Sequence, residues 1–361
     1  MRLLHTSDLH LGRKGREEDI WKQWEKIVAL TQQEKVDILI IAGDIFDNGQ
    51  AERRLKQRFC SSLERLTREG ITVLVIPGNH DLRQGNALEG IELPGVKVAF
   101  DYEVVILEGI AFHLFPFSPE ITGQDLVKIR QKTEAKFEIG VCHASYVAIR
   151  DIFNDLGDSQ AIHIPLLPED VKLLQFDYLA LGHYHNAKYW QVGKTHCVYP
   201  GSIEPLSFKE KGKRQVFIGH FSNEIAISPI EIGCQQSYQE ITVQIPPEGF
   251  EGAWREIETL PKRFGPCFLK IHLKGIGDEV LVKVWQQKVE KYLKEQAISV
   301  IWEDQTVDMA WIESTPLARQ FRNIVQKRLE KSPQERDYWW RVLYRGVGCL
   351  KECYQEAMPK A

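Results

Sequence analysis

The sequence predicts an α/β protein with a largely parallel sheet, and three observations predict it. Short, largely apolar runs at 36–42, 71–76 and 177–182 have the length and make-up of strands buried on both faces. Longer stretches with apolar residues at helical spacing separate the early runs, so that strand and helix alternate. Several runs also end at once in Asp, Asn or His. Ligands of an open α/β sheet bind beyond the carboxyl ends of its strands, which is where these residues would lie.

Residues 2–6 read as the first strand and lead into His5-Thr-Ser-Asp-Leu-His-Leu-Gly12. Asp8 and His10 alternate there with Leu9 and Leu11, which predicts that both face one pocket. Arg13, Lys14 and Arg16 follow directly and suit contacts to a phosphate backbone. A helix is predicted over 17–35, with Ile20, Trp24, Ile27, Val28 and Thr31 on its core face. The strand at 36–42 ends in Gly43-Asp44-Ile-Phe-Asp47. A second helix, about 51–69, carries Leu55, Phe59, Leu63 and Leu66 in register and stops at Gly70. The strand at 71–76 ends in Pro77-Gly-Asn79-His80-Asp81.

Strands are then expected at 96–100, 103–107, 110–115 and 137–143, the last ending in His143. The run at 177–182 leads into Gly182-His-Tyr-His185. Two imidazoles one residue apart can serve one site if the chain turns sharply, and Gly182 permits such a turn. Tyr184 between them reads as packing. Further strands are expected at 187–192, 214–221 and 224–232, with Lys209–Arg214 as a solvated hairpin loop.

Near Cys234 the character changes. Strands at 237–245, 267–274 and 298–302 alternate with helices at 252–259 and 278–295, a compact βαβαβ unit without a catalytic cluster. Thr315-Pro316 and Ser332-Pro333-Gln-Glu335 then mark two helix starts, each with a capping residue before a proline. Leu317, Phe321, Ile324 and Val325 form the apolar face of the first helix; Trp339, Val342, Leu343, Leu350 and Cys353 lie along the second. The expected domains are 1–233, 234–310 and 311–361.

Composition is globular, at 43% hydrophobic and 27% charged, with no apolar run near the ~20 residues a bilayer span requires. The N-terminus enters the Asp8 motif without a signal-peptide pattern, and the seven cysteines lack C-x-x-C spacing; free thiols and a cytoplasmic location are expected. Cys349 and Cys353, one helical turn apart, are expected to pack. The net charge of −4 excludes an overall basic field of the kind that draws a protein to polyanions. From Thr315 onward, however, ten Lys/Arg against five Asp/Glu give a local +5 and leave −9 elsewhere.

The residues at the strand ends are Asp8, His10, Asp44, Asn79, His80, His143, His183 and His185, and they include five of the eleven histidines. Two carboxylates, an amide oxygen and several imidazoles are enough for two metal ions sharing one carboxylate. Mixed N/O donors without thiolate suit Mn²⁺, Fe²⁺ or Zn²⁺ better than Ca²⁺ or Mg²⁺. His80, beside Asn79, would face a leaving group as an acid or transition-state stabiliser. Asp47 would hold the His80 ring in its tautomer or keep it protonated.

In that order, Asp-x-His, Gly-Asp-x-x-Asp, Gly-Asn-His-Asp, a strand-end His and Gly-His-x-His resemble the calcineurin-like metallophosphoesterases. The opening His5–Gly12 and the Gly182–His185 motif followed by Tyr199-Pro-Gly-Ser202 are similar to the SbcD-type DNA repair nucleases. These are bacterial relatives of the Mre nuclease, which works with a coiled-coil ATPase. The resemblance is specific over 1–205 and architectural beyond. It implies a four-layer αββα sandwich, a small capping domain and C-terminal helices that dock on the ATPase. By motif, Asp8, His10, Asp44 and His185 would hold one metal, Asp44, Asn79, His143 and His183 the other, and His80 would be catalytic. The implied cofactor is a pair of divalent ions, Mn²⁺ first among them. The implied substrate is DNA, and the implied assembly is a homodimer with an SbcC-like ATPase and no membrane. The residues after Asp47, Asn48-Gly-Gln-Ala51, lack the prolines common in that family. Two other readings stand beside this one: a phosphodiesterase or phosphatase for a small nucleotide or phosphate ester, and a non-catalytic scaffold for an ATPase.

Overall fold

A computed structural model describes residues 1–82, 88–148, 163–210, 212–246 and 249–357. Residue 211 of the expected hairpin loop and the last four residues of the expected helical hairpin lie outside them. The chain divides into two compact units, Met1–Gln236 and Ser237–Ala361.

The first unit begins with β1 (Arg2–Thr6), α1 (Glu17–Gln33), β2 (Ile38–Ala42), α2 (Gly49–Arg68), β3 (Thr72–Ile76), a single turn α3 (Asn79–Leu82) and β4 (Val96–Val98). There follow β5 (Glu103–Leu107), β6 (Ile110–Phe115), α4 (Gly123–Ile129), β7 (Phe137–His143), and the short pair β8 (Ser145–Tyr146) and β9 (Pro165–Leu166). The unit is completed by α5 (Pro168–Leu174), β10 (Tyr178–Gly182), β11 (Lys188–Val192), β12 (Thr195–Tyr199), β13 (Gln215–Phe221) and β14 (Ile225–Glu231).

Two six-stranded sheets result, in the orders β14-β13-β1-β2-β3-β4 and β11-β12-β10-β7-β6-β5. The neighbours among β1, β2, β3 and β4 are parallel, as are those among β12, β10, β7 and β6. Antiparallel strands complete both sheets at their edges.

Side-chain alternation along the strands builds the layers. Leu4, Leu39, Ile41, Val73 and Val75 pack with Trp24, Ile27, Phe59 and Leu63 of the outer helices. Their neighbours Leu3, Ile38, Ile40 and Leu74 face the second sheet, against Phe112, Ile139, Val141 and Tyr178. The other face of that sheet buries Leu179 and Leu181 with Leu126, Val171 and Leu174. The architecture is the four-layer αββα sandwich. Trp24 and Tyr184 are core residues, as expected, and Trp21 is buried too. Asn48, where the family prolines are missing, is the cap of α2: its side-chain oxygen accepts from Gln50 N and Ala51 N.

The second unit contains β15 (Ser237–Ile245), α6 (Phe250–Phe264), β16 (Cys267–Gly277), α7 (Glu279–Glu295), β17 (Ile298–Asp304), β18 (Val307–Asp308), α8 (Met309–Ser314), α9 (Pro316–Lys331) and α10 (Arg336–Ala357). Strands β15, β16 and β17 pair in parallel in that order. Helix α6 runs through Pro261 to Phe264 instead of stopping before it, since Ile257 and Leu260 are anchored in the sheet core. The two proline-marked starts are real, but neither Thr315 nor Ser332 makes a side-chain cap bond, and Pro333–Glu335 is a 3₁₀ turn ahead of α10.

The expected apolar face of α9 splits. Val325 is buried with Ile312, Ala318, Leu343 and Val347 against Ile276 and Val307 of the sheet, whereas Leu317 and Ile324 are 50% and 55% exposed. Cys349 and Cys353 are exposed too, so the expectation that they pack is overturned: they fall on the side of α10 away from Leu343 and Val347.

Candidate metal centre

The loops that follow β1, β2, β3, β7 and β10 converge. Asp8 N donates to Gly43 O (3.0 Å), His10 N to Asp44 O (3.0 Å) and His183 N to Asp8 Oδ1 (3.1 Å), so main chain and carboxylates knit three of the loops together. Asp81 completes the joint: its carboxylate accepts from Ile45 N (3.1 Å), Phe46 N (3.0 Å) and Gly78 N (2.9 Å). Burial, with the nearby Asp44 charge, pushes this carboxyl up to about 7.

Strict strand alternation does not continue through the motifs. Asp8 (φ 52°), His10 (φ 47°), Asp44 (φ 52°) and His183 (φ 104°) all occupy the left-handed region that side chains disfavour. The sharp turn expected at Gly182 is therefore made by His183 itself. Gly182 is needed for a different reason: a Cβ there would lie 1.9 Å from Ala42 O, where β10 of one sheet passes β2 of the other.

Among the side chains, His10 Nε2 lies 3.1 Å from His185 Nε2 and 3.8 Å from Asp44 Oδ2. His143 Nε2 lies 3.1 Å from Asn79 Oδ1 and 3.5 Å from Asp44 Oδ2, and His185 Nε2 is 4.0 Å from Asp8 Oδ1. The His143 and His183 rings stand 5.2 Å apart, edge to face. Asp8, His10 and His185 form one triad of donor atoms within 4.8 Å of one another; Asp8, Asp44 and His143 form a second, and His10, Asp44 and His80 a third. Asp8 and Asp44 are almost wholly buried.

Charge is finely opposed here. Burial raises Asp8 above the ordinary carboxylate range. Burial pushes Asp44 the same way, but the charge of His143 and its hydrogen bond, with His10 and His80, bring Asp44 well below it. Desolvation pushes His143 down, but the Asp44 charge and hydrogen bond, with Asp8 and the Ala42 carbonyl, together lift it to about 9. Burial and the neighbouring His143 lower His183.

These residues fit divalent cations. Two buried carboxylates share this site with four imidazoles, and the Nε2 atoms of His10 and His185 meet there at 3.1 Å. His183 Nε2 and Asn79 Nδ2 are buried with no hydrogen-bond partner.

Two expectations need correction. Asp47 meets His80 through its main chain: His80 Nδ1 donates to Asp47 O (3.0 Å), while the carboxylate lies 3.2 Å from Arg13 Nη1 and 3.6 Å from His10 Nδ1. Despite its desolvation, that carboxylate is held down to about 2 by His10 and Arg13. Arg16 is not a surface contact at all. It is 4% exposed and gives hydrogen bonds to Glu204 Oε1 (2.6 Å) and Pro205 O (2.7 Å); of the three cations, Arg13 is half-buried beside Asp47 and Lys14 is exposed.

Sequence reasoning missed the loop at 209–214. Glu210 and Arg214 are buried beneath His185: Glu210 Oε1 accepts from His185 Nδ1 (2.9 Å), and Arg214 Nη1 donates to His185 O (2.8 Å). Burial opposes the charges, but Glu210 lifts His185 to about 9, and His185 with Ser202 and Arg214 brings Glu210 to about 2. A run of alternating Lys and Glu gives no sign of burial. His163, a residue outside the motifs, stands 5.1 Å from His183, ring to ring.

The family model for calcineurin-like phosphoesterases matches residues 1–221. The chain belongs to that family. Among curated phosphoesterase relatives, it is 25% identical over 236 residues to the DNA double-strand break repair protein Mre11 of Methanopyrus kandleri, covering 58% of this chain and 50% of that protein. It is 24% identical over 320 residues to the uncharacterized metallophosphoesterase YhaO of Bacillus subtilis (81% and 76%). It is 29% identical over 275 residues to the SbcD component of the SbcCD nuclease of Escherichia coli K12 (62% and 66%). The chain thus spans half the length of the Methanopyrus relative.

Proposed function

We propose that the chain is a two-metal phosphodiesterase that hydrolyses DNA, the nuclease subunit of an SbcC/SbcD-like complex. The observation that carries this reading is the convergence of Asp8, His10, Asp44, Asn79, His143, His183 and His185 at the ends of strands from both sheets, in a family of phosphoesterases. Asp8, His10, Asp44 and His185 would hold one ion and Asp44, Asn79, His143 and His183 the other. Two such ions, Mn²⁺ in this proposal, supply Lewis acidity at the phosphoryl centre and lower the pKa of an attacking water.

The chain's own groups do the rest. His80 donates an Nδ1–H hydrogen bond to the Asp47 carbonyl (3.0 Å), which leaves Nε2 as the nitrogen whose proton passes to the departing oxygen. The Asp47 carboxylate steadies His10 and Arg13, and Arg13 and Lys14 contact phosphates beside the scissile bond. In the second unit, the exposed Leu317 and Ile324 of α9 and Tyr338 of α10 would offer apolar contacts to the coiled-coil ATPase on a segment rich in Lys and Arg. The nuclease is proposed to act as a homodimer.

The deciding experiment is a nuclease assay on single-stranded and duplex DNA with Mn²⁺, Mg²⁺ and Zn²⁺ compared, alongside Asp44→Ala. We expect Mn²⁺-dependent cleavage by the native chain. The variant should lose activity and both bound ions, because Asp44 is the one residue assigned to each. Hydrolysis of nucleotide esters with intact DNA would replace this reading with the small-ester one. Two ions retained by the variant would refute the shared carboxylate.

A further inference from the structure

We propose that Glu210 is a positioning residue of the metal centre, fixing both the tautomer and the ring plane of His185. The inference rests on the two-metal reading and assigns a task to a loop outside the metal-ligand motifs. A carboxylate can only accept, so the 2.9 Å contact from His185 Nδ1 to Glu210 Oε1 places the N–H on Nδ1. Nε2, the atom that lies 3.1 Å from His10 Nε2 and 4.0 Å from Asp8 Oδ1, is then the nitrogen that gives up its proton to offer a lone pair to a cation. An imidazole backed by a carboxylate is also a better donor through its far nitrogen.

The carboxylate is itself held in place. Its Oε2 accepts from Ser202 Oγ (2.8 Å) and Leu206 N (3.0 Å) and lies 3.6 Å from Arg214 Nη1. The same groups grip the main chain of the residue whose ring Glu210 orients. Arg214 Nη1 (2.8 Å) and Ser202 N (3.1 Å) both donate to His185 O. Gly201 lets them approach, since a Cβ there would stand 2.6 Å from His185 O. Ring and carbonyl of His185 are therefore clamped by one buried cluster. Its two charged side chains are 1% and 2% exposed, and desolvating such a pair is costly where packing alone is needed.

The test is calorimetric Mn²⁺ titration of the full chain, with thermal unfolding of each variant. Glu210→Ala should weaken one of the two sites by about 10- to 100-fold and leave the other unchanged. Glu210→Gln, whose amide oxygen still accepts from Nδ1, should recover most of that loss. Ser202→Ala, which removes one bond that aims the carboxylate, should weaken the same site a few-fold; it decides the matter if Glu210→Ala does not fold. Unchanged binding would overturn the proposal, as would both sites weakening in step with a fall in Tm. A native chain that takes up no Mn²⁺ would overturn the two-metal reading itself, before any variant is made.

Discussion

At the scale of single residues, His80 carries the sharpest question. Its main-chain N–H donates to Asp44 Oδ1 (2.8 Å), and its ring lies close enough to His10 and Asp44 to complete a metal triad. If it is the proton donor, His80→Gln should keep normal metal content and lose about 10²–10⁴ in turnover. Metal content falling as far as activity would make it a ligand. His5 tests burial instead. Its ring is fully buried against the Tyr178 hydroxyl (2.9 Å), and desolvation lowers its pKa from 6.5 to about 3. Between those values the unfolded chain binds the proton and the folded chain does not, so stability should fall as pH drops from about 6.5 toward 3. From pH 7 to pH 5 the native protein should lose about 2 kcal/mol that His5→Gln does not lose. Identical pH dependence in denaturant unfolding would show that the ring is solvated.

At the scale of elements, the site depends on how closely β10 crosses β2. With only 1.9 Å between a Cβ at position 182 and Ala42 O, Gly182→Ala cannot be absorbed by a rotamer change; backbone has to move. We expect a stability loss of about 3 kcal/mol, together with weakened metal binding, because His183 and Asp44 follow directly on those two strands. Denaturant unfolding and metal analysis of the same preparation check both. A variant that is stable and fully loaded would mean the strands can separate without cost to the centre.

At the scale of the whole molecule, the terminal helices have two roles to separate. Val325, Leu343 and Val347 close a core with Ile276 and Val307, so truncation after Glu313 is expected to strip that core and destabilise the second unit. Surface changes are the cleaner probe. Leu317→Glu with Ile324→Glu should leave Tm and metal content unchanged while abolishing co-purification with a coiled-coil ATPase. Undiminished binding would move the interface elsewhere.

The sequence by itself determined most strands of the sandwich, its first two helices and the motif residues at the strand ends, but not β12 or the outer helices α4 and α5. Those signals are local: a run of Ile and Leu buries itself wherever it pairs, and a strand end presents the next polar side chain whatever lies opposite. It also placed the βαβαβ elements and both terminal helices, to within a few residues. What lay beyond local signals, tertiary contact decided. Arg16 leaves the surface because Glu204, 188 residues away, meets it. Glu210 and Arg214 sit in a stretch that reads as solvated charge, and become buried only because His185 and Ser202 close over them. Likewise, Asp8, His10, Asp44 and His183 accept left-handed backbone because loops from two sheets leave each no other path. Burial of a charge depends on which partner the fold brings to it, and no run of neighbouring residues encodes that.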